Sequence, residues 1–167
     1  MFDQYFTGPS QKILELRNTV EISTIGRNIK IFGLDNFEIN EDYSVAIFSL
    51  NGDKESEKFR EIFYSFSNSS WNIKIIDFGK LKNGFSEADT KFAIEQIINR
   101  LSALGILVIC VGGNSALTNT VYDAINDNTD YLNIVSVDKH IGINDDKNSI
   151  NNNNYLSPVS YTHLTLP

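Results

Sequence analysis

The residues of this sequence best suited to chemistry follow an apolar, strand-like run at residues 106–111. That run ends in the polar turn Gly112, Gly113, Asn114 and Ser115, after which the sequence takes on a helical period. A turn of this kind exposes backbone amides at the start of a helix, where they can bind a small anion such as phosphate. The two glycines also have a structural explanation, because a chain that reverses tightly into a helix needs glycine.

A second polar cluster lies downstream, where residues 132–137 lead into Asp138 and His140. These two side chains are two positions apart, so an extended backbone points both of them to the same side. Ligands of an open parallel sheet bind beyond the carboxyl ends of its strands. Because both clusters follow predicted strands, we expect them to share one edge of the sheet.

The elements that must position these clusters alternate between apolar β-forming runs and segments of helical period. This alternation is typical of an α/β fold, in which helices cover a parallel sheet. We predict strands at residues 44–50, 72–78, 106–111 and 132–138, with a helix in each interval.

Each predicted helix carries an apolar stripe that should face the sheet. The first stripe, spaced i, i+3, i+4 and i+7, consists of Phe59, Ile62, Phe63 and Phe66. The second, which follows a capping serine at Ser86 and ends at Gly105, consists of Ile94, Ile97, Ile98, Leu101 and Leu104. The third consists of Leu117, Val121, Ala124 and Ile125.

The N-terminal residues 1–41 are predicted to form an accessory segment outside the main domain. Within it, residues 19–23 and 28–32 alternate between apolar and polar side chains in the manner of an edge hairpin. The α/β domain itself is expected to span residues 42–143.

The C-terminal part of the sequence changes in composition. Residues 144–157 form an Asn-rich polar tail that lacks the apolar content of a core element. Residues 158–167 resemble translated sequencing-adaptor read-through, and we expect them to be non-native. That leaves His140 as the histidine relevant to function, since His163 falls in the excluded stretch.

The overall composition limits the class of protein. The chain has 167 residues, of which 41% are hydrophobic, and a net charge of -7, as expected of a soluble domain. No apolar run approaches the ~20 residues of a membrane span, and the N-terminus lacks a secretory pattern. We therefore expect a cytoplasmic protein that binds neither membranes nor nucleic acid, whose phosphates its charge would repel. Cys110 lies in an apolar strand and is predicted to be a buried, unreactive thiol.

Together the two polar clusters resemble the first two metal motifs of the ureohydrolase family, which includes arginase, agmatinase and formimidoylglutamase. Those motifs are written Gly-Gly-Asp-His-Ser and Asp-Ala-His-x-Asp, and the sequence Asp77-Phe78-Gly79 is similar to the family's Asp-Leu-Gly. The resemblance implies a partial arginase/deacetylase-like fold, a three-layer α/β/α arrangement with a mainly parallel sheet. In that family two manganese ions generate a hydroxide that attacks a guanidinium or related amidino carbon.

The match covers the order and spacing of the motifs, but several of the metal ligands are replaced. Ser115 stands where the family has a metal-binding histidine, Asn114 replaces an aspartate, and Gly142 replaces the closing aspartate. Asp138 and His140 match their positions and are vestigial ligands in this comparison. Because a hard cation needs several anionic ligands, we expect this chain to hold no cofactor and to be noncatalytic.

Two alternatives remain open at the level of sequence. The family's third motif would lie downstream, so we expect an N-terminal part of a longer protein, which could be a homo-oligomer. In the first alternative that parent is a metal-dependent hydrolase of linear amidino C–N bonds, with replacement ligands elsewhere. In the second, the Gly112-Gly113 turn forms a small-anion or nucleotide-binding module, although neither common phosphate-loop motif is present. The sequence does not identify the small-molecule ligand.

Overall fold

The structure of the protein, a computed structural model, describes residues 2–50, 54–68, 73–113, 117–126 and 157. Its strands are β1 (Phe6–Thr7), β2 (Lys30–Ile31), β3 (Val45–Ser49), β4 (Ile75–Leu81) and β5 (Leu107–Val111). Its helices are α1 (Gln11–Thr19), α2 (Ile25–Asn28), α3 (Lys54–Ser65), α4 (Glu87–Ala103) and α5 (Leu117–Asn126). None of these described helices combines the length and apolar character needed to cross a membrane.

Strands and helices alternate from β3 to α5, as the sequence predicts for an α/β fold. The strands predicted at residues 44–50, 72–78 and 106–111 correspond to β3, β4 and β5. The fourth, predicted at residues 132–138, lies outside the described residues.

The described strands form one mixed sheet in the order β1-β4-β3-β5, with β2 also paired to β4. β3 runs parallel to β4 and β5, and β2 runs parallel to β4, whereas β1 is antiparallel to β4. The prediction of a mainly parallel sheet is therefore corrected to a mixed one. The physical reason is that β1 and β2, which precede β4 in the sequence, form hydrogen bonds with an edge of β4 that would otherwise be open.

The N-terminal segment does not form an edge hairpin, although its alternation of apolar and polar side chains is typical of one. Residues 19–23 end α1 and form the following turn, while β2 pairs with β4 instead of with them. Phe2, Phe6 and Ile13 are buried. The apolar side chains of this segment thus pack against the sheet and α3, and these tertiary contacts override the local alternation.

β3 divides the core, because successive side chains of a strand point to opposite faces of a sheet. Ala46 and Phe48 pack with the buried residues of α4. Ile47 packs with Ile13 of α1 and Tyr64 of α3. Apolar clusters therefore lie on both faces of the sheet.

The start and end of α4 follow directly from its sequence. The Ser86 hydroxyl accepts a hydrogen bond from the Asp89 amide, and the Asp89 carboxylate accepts one from the Ser86 amide, which forms a capping box. Gly105 ends the helix with φ +70°. The predicted stripe is confirmed, since α4 buries Ala93, Ile94, Ile97, Ile98 and Leu101, with Leu104 partly buried.

α3 forms where the sequence predicts a helix, but only part of its predicted apolar stripe faces the core, where Phe59 and Phe63 are partly buried. Ile62 is 48% exposed and Phe66, just beyond the helix, is 53% exposed. The side chains that α3 buries are Ser56, Arg60 and Tyr64. A carboxylate in β4 lies beneath them and requires polar partners, which explains the orientation of the helix.

β5 is less buried than its apolar sequence predicts. Leu107 is 63% exposed and the remaining residues of β5 are partly buried. Among the described strands β5 pairs only with β3, so it is the last strand at that side of the described sheet.

Candidate functional site

The carboxyl ends of β3 and β5 lie side by side. Ser49 is paired with Val111 in the parallel register, and the Leu50 amide donates to the Val111 carbonyl at 3.0 Å. Gly112 and Gly113 follow with φ 73° and 91°, a region that residues with a side chain rarely adopt. The chain therefore leaves β5 abruptly at the edge where a parallel sheet binds ligands.

A cleft of about 330 Å³ lies beside this turn, near the lower end of the volumes found for ligand pockets. The two glycines line it together with Leu50, Cys110, Leu117, Thr118 and Val121. A Cβ atom at Gly113 would lie 3.0 Å from Leu50 Cδ1. Packing against the cleft wall therefore adds a second reason for glycine at this position.

The described side chains around the cleft are mostly aliphatic. Among the described residues that line it, the polar side chains are the Cys110 thiol and the Thr118 hydroxyl. Burial raises the pKa of Cys110 to about 12, so the thiol is protonated at neutral pH. A protonated thiol is a poor nucleophile. Cys110 is partly buried, and not fully buried as the sequence predicts.

The predicted site residues are only partly described by the structure. Gly112 and Gly113 line the cleft. Five others lie outside the described residues: Asn114, Ser115, Asp138, His140 and Gly142. That the Gly112–Ser115 turn and the segment of Asp138 and His140 share one edge of the sheet therefore stays a prediction.

The described part of the cleft does not fit a manganese ion. Manganese prefers carboxylates, water and imidazole, whereas Cys110 and Thr118 offer a neutral thiol and a hydroxyl. Across the described ranges, no three His, Cys, Asp or Glu side chains are grouped so that they could hold a metal ion. These residues support no reaction step through a metal.

A separate group of polar side chains, formed around Arg60 and Asp77, is buried between α3 and the sheet. Arg60 donates from Nε to Asp77 Oδ2 at 2.7 Å and from Nη2 to Asp77 Oδ1 at 3.0 Å. The two residues are 3% and 0% exposed. Burial acts to lower the pKa of Arg60, but the hydrogen bond and charge of Asp77 outweigh it and raise that pKa. The guanidinium is therefore a permanent cation inside the protein.

Neighbouring groups complete the hydrogen bonding of this pair. Tyr64 donates its hydroxyl to Asp77 Oδ2 at 2.9 Å, and the Gly79 amide donates to Oδ1 at 2.7 Å. Arg60 also donates to the Gly79 carbonyl at 2.7 Å, to Ser49 Oγ at 3.3 Å and to the Ser56 carbonyl at 3.5 Å. All five N–H donors of Arg60 thus have acceptors.

Because their hydrogen bonds are satisfied within the protein, Arg60, Tyr64 and Asp77 have a structural role. Burial and the charge of Asp77 raise the pKa of the Tyr64 hydroxyl, which therefore stays protonated and continues to donate. Neither the carboxylate nor the guanidinium is exposed to a substrate. The cluster is a structural tie between α3, β3 and β4, and not a catalytic acid–base pair.

Sequence reasoning missed Arg60, Tyr64 and Ser49. A signal was present, because Ser56, Arg60 and Tyr64 recur at i, i+4 and i+8 along one face of the predicted helix. Asp77 provides another, since a carboxylate within an apolar strand requires a charged or hydrogen-bonding partner.

No protein-family model matches the sequence, and no curated protein matches it significantly.

Proposed function

We propose that the chain forms a noncatalytic ureohydrolase-like domain, in which the α/β scaffold carries a small-molecule cleft instead of a manganese centre. The observation that carries this proposal is the lining of the cleft beyond β5. Leu50, Leu117 and Val121 surround the space next to the Gly112-Gly113 turn. This turn corresponds to the Gly-Gly that begins the first metal motif of the ureohydrolase family. The replacement residues Ser115 and Gly142 support the same conclusion.

The proposed scaffold has three layers. In it, α1 and α3 cover one face of the sheet, and α4 and α5 cover the other. The support for this arrangement is the division of the core at β3, where Ile47 packs with Ile13 and Tyr64 while Phe48 packs on the side of α4.

Asp77 has a structural role in this proposal. It belongs to the short sequence that resembles the family's Asp-Leu-Gly, but its carboxylate accepts hydrogen bonds from Arg60, Tyr64 and Gly79. A carboxylate with these partners holds β4 against α3 and is closed to a ligand.

The ligand class follows from the cleft. Aliphatic walls favour a small molecule with an apolar portion, because most of the stabilisation would come from burial of that surface. The net charge of -7 opposes nucleic acid as a partner. The proposal retains the cytoplasmic setting expected from the sequence.

An activity assay tests the proposal against its catalytic alternative. The purified chain, with added manganese, is incubated with arginine, agmatine or formimidoylglutamate, and urea, formamide and ammonia are measured. The proposal expects no release above that of the buffer. Release that disappears in Asp138→Ala and His140→Ala would instead establish an amidino hydrolase, and circular dichroism would verify that both variants fold.

A further inference from the structure

The loop between β4 and α4 presents an Asn-Gly pair whose glycine amide is hydrogen-bonded to a side chain of the following helix. Asn83 and Gly84 are both exposed, and the Gly84 amide donates to Thr90 Oγ1 in the first turn of α4 at 3.0 Å. We propose that Asn83 is a site of spontaneous deamidation and that this hydrogen bond controls its rate. The proposal concerns a covalent modification and is independent of the cleft.

Packing at the start of α4 requires the glycine of this pair. A Cβ atom at position 84 would lie 2.5 Å from Asp89 Cβ and 2.9 Å from the Thr90 nitrogen. A larger residue would therefore displace the first turn of the helix. The fold keeps the least hindered residue directly after an exposed asparagine, which is the combination that favours deamidation.

The reaction requires only water. The Gly84 nitrogen loses its proton to solvent and attacks the side-chain carbonyl carbon of Asn83. The new C–N bond closes a succinimide as the bond to Nδ2 breaks, and Nδ2 leaves as ammonia after taking a proton from water. Water then opens the ring at either carbonyl and produces an aspartyl or an isoaspartyl residue.

Thr90 restrains the nucleophile of this reaction. A nitrogen whose hydrogen is donated to Thr90 Oγ1 is harder to deprotonate, and the same bond holds it in the direction of α4. Thr90 is itself fixed, because its hydroxyl donates to the Ser86 carbonyl at 3.2 Å. The hydrogen bond must therefore open before Gly84 can attack.

The two products affect the loop differently. An aspartyl residue adds a negative charge near the start of α4, where the helix dipole favours it. An isoaspartyl residue adds a methylene to the main chain and displaces the Gly84 amide from Thr90. The second product should loosen the first turn of the helix.

Peptide mapping with time at mildly alkaline pH tests the proposal. Cleavage after lysine places Asn83 in the peptide of residues 83–91, separate from Asn51-Gly52, whose deamidation serves as an internal reference. Thr90→Val, which lacks the hydroxyl, should deamidate at Asn83 about fivefold faster than the parent chain, the effect of losing one hydrogen bond. Thr90→Ser keeps the hydroxyl and should match the parent, while the rate at Asn51 should stay constant in all three.

Equal rates at Asn83 in Thr90→Val and the parent would overturn the proposal, as would conversion of Asn51 with none at Asn83 in any variant. Circular dichroism checks the fold of each protein. Hydrogen exchange of the parent provides a measurement that needs no variant: the Gly84 amide should exchange more slowly than the amide of Phe85. Equal exchange at these two positions would contradict the restraint.

Discussion

Arg60 and Asp77 form a buried, bidentate ion pair, with Nε to Oδ2 at 2.7 Å and Nη2 to Oδ1 at 3.0 Å. This pair joins α3 to β4 and explains why α3 turns its polar side to the sheet. Geometry of this kind is specific to arginine, whose planar fork matches a carboxylate.

Breaking this pair should strongly destabilise the protein. We expect Arg60→Met to lower the free energy of unfolding by about 3–5 kcal/mol, because Asp77 would remain buried without its counter-ion. Adding Asp77→Leu should recover part of that loss, since the uncompensated charge is then gone. Urea unfolding measures both. Lys12→Met, which removes the exposed pair with Glu61, is the control and should leave the unfolding midpoint nearly unchanged.

The orientation of α3 can be tested with two residues of the same helix. Tyr64→Phe removes a donor from a buried carboxylate and should cost about 1.5–3 kcal/mol. Ile62→Gln lies on the outer face and should change stability by less than about 0.5 kcal/mol. The apolar stripe predicted from the sequence would require the opposite order, so chemical denaturation of the two variants distinguishes the orientations.

Gly79 makes a close backbone contact that no other residue could maintain. Its φ is +79°, and a Cβ atom there would lie 2.2 Å from the Thr7 carbonyl oxygen. Gly33 has nearly the same φ, with nothing within 4 Å of its Cβ position, and is the matched control. Both alanine variants should lose about 1–2 kcal/mol from the left-handed conformation. Gly79→Ala should lose a further ~1–3 kcal/mol from overlap, and equal losses would exclude this contact.

Alkaline pH should destabilise the protein through Cys110. The pKa of its thiol is raised from 9.0 to about 12 in the folded chain. Between these pH values the unfolded chain releases a proton that the folded chain keeps. The contribution of the thiol to the free energy of unfolding is therefore fully present below pH 9 and is lost as pH rises toward 12. Cys110→Ala should therefore show a shallower decline just above pH 9 in urea unfolding. Parallel curves for the two proteins would show that burial of the thiol is not linked to stability.

The elements that the sequence predicts well are those with strong local signals. α4 has a capping serine at Ser86, a continuous apolar stripe and a terminating Gly105, and each acts as predicted. β3 and β5 are short apolar runs bounded by turn residues, a pattern that is consistent with a buried strand. The glycine turn after β5 was recognisable because its conformation requires glycine.

What the sequence did not reveal depends on contacts between distant residues. The apolar spacing of Ile62 and Phe66 favours a buried face, but the charge of Asp77 in a separate strand decides the orientation of α3. The pairing of β1 and β2 with β4 likewise depends on the edge that β4 leaves open. For the candidate site, local motifs located the turn and could not show that aliphatic side chains line the adjacent cleft.

Manganese binding is the most direct test of a noncatalytic ureohydrolase-like domain. The chain is dialysed to equilibrium against manganese, and the bound metal is measured by elemental analysis beside Asp138→Ala and His140→Ala. We expect the bound manganese to be well below stoichiometric and equal in all three proteins. Stoichiometric manganese in the parent chain that is lost in both variants would contradict it.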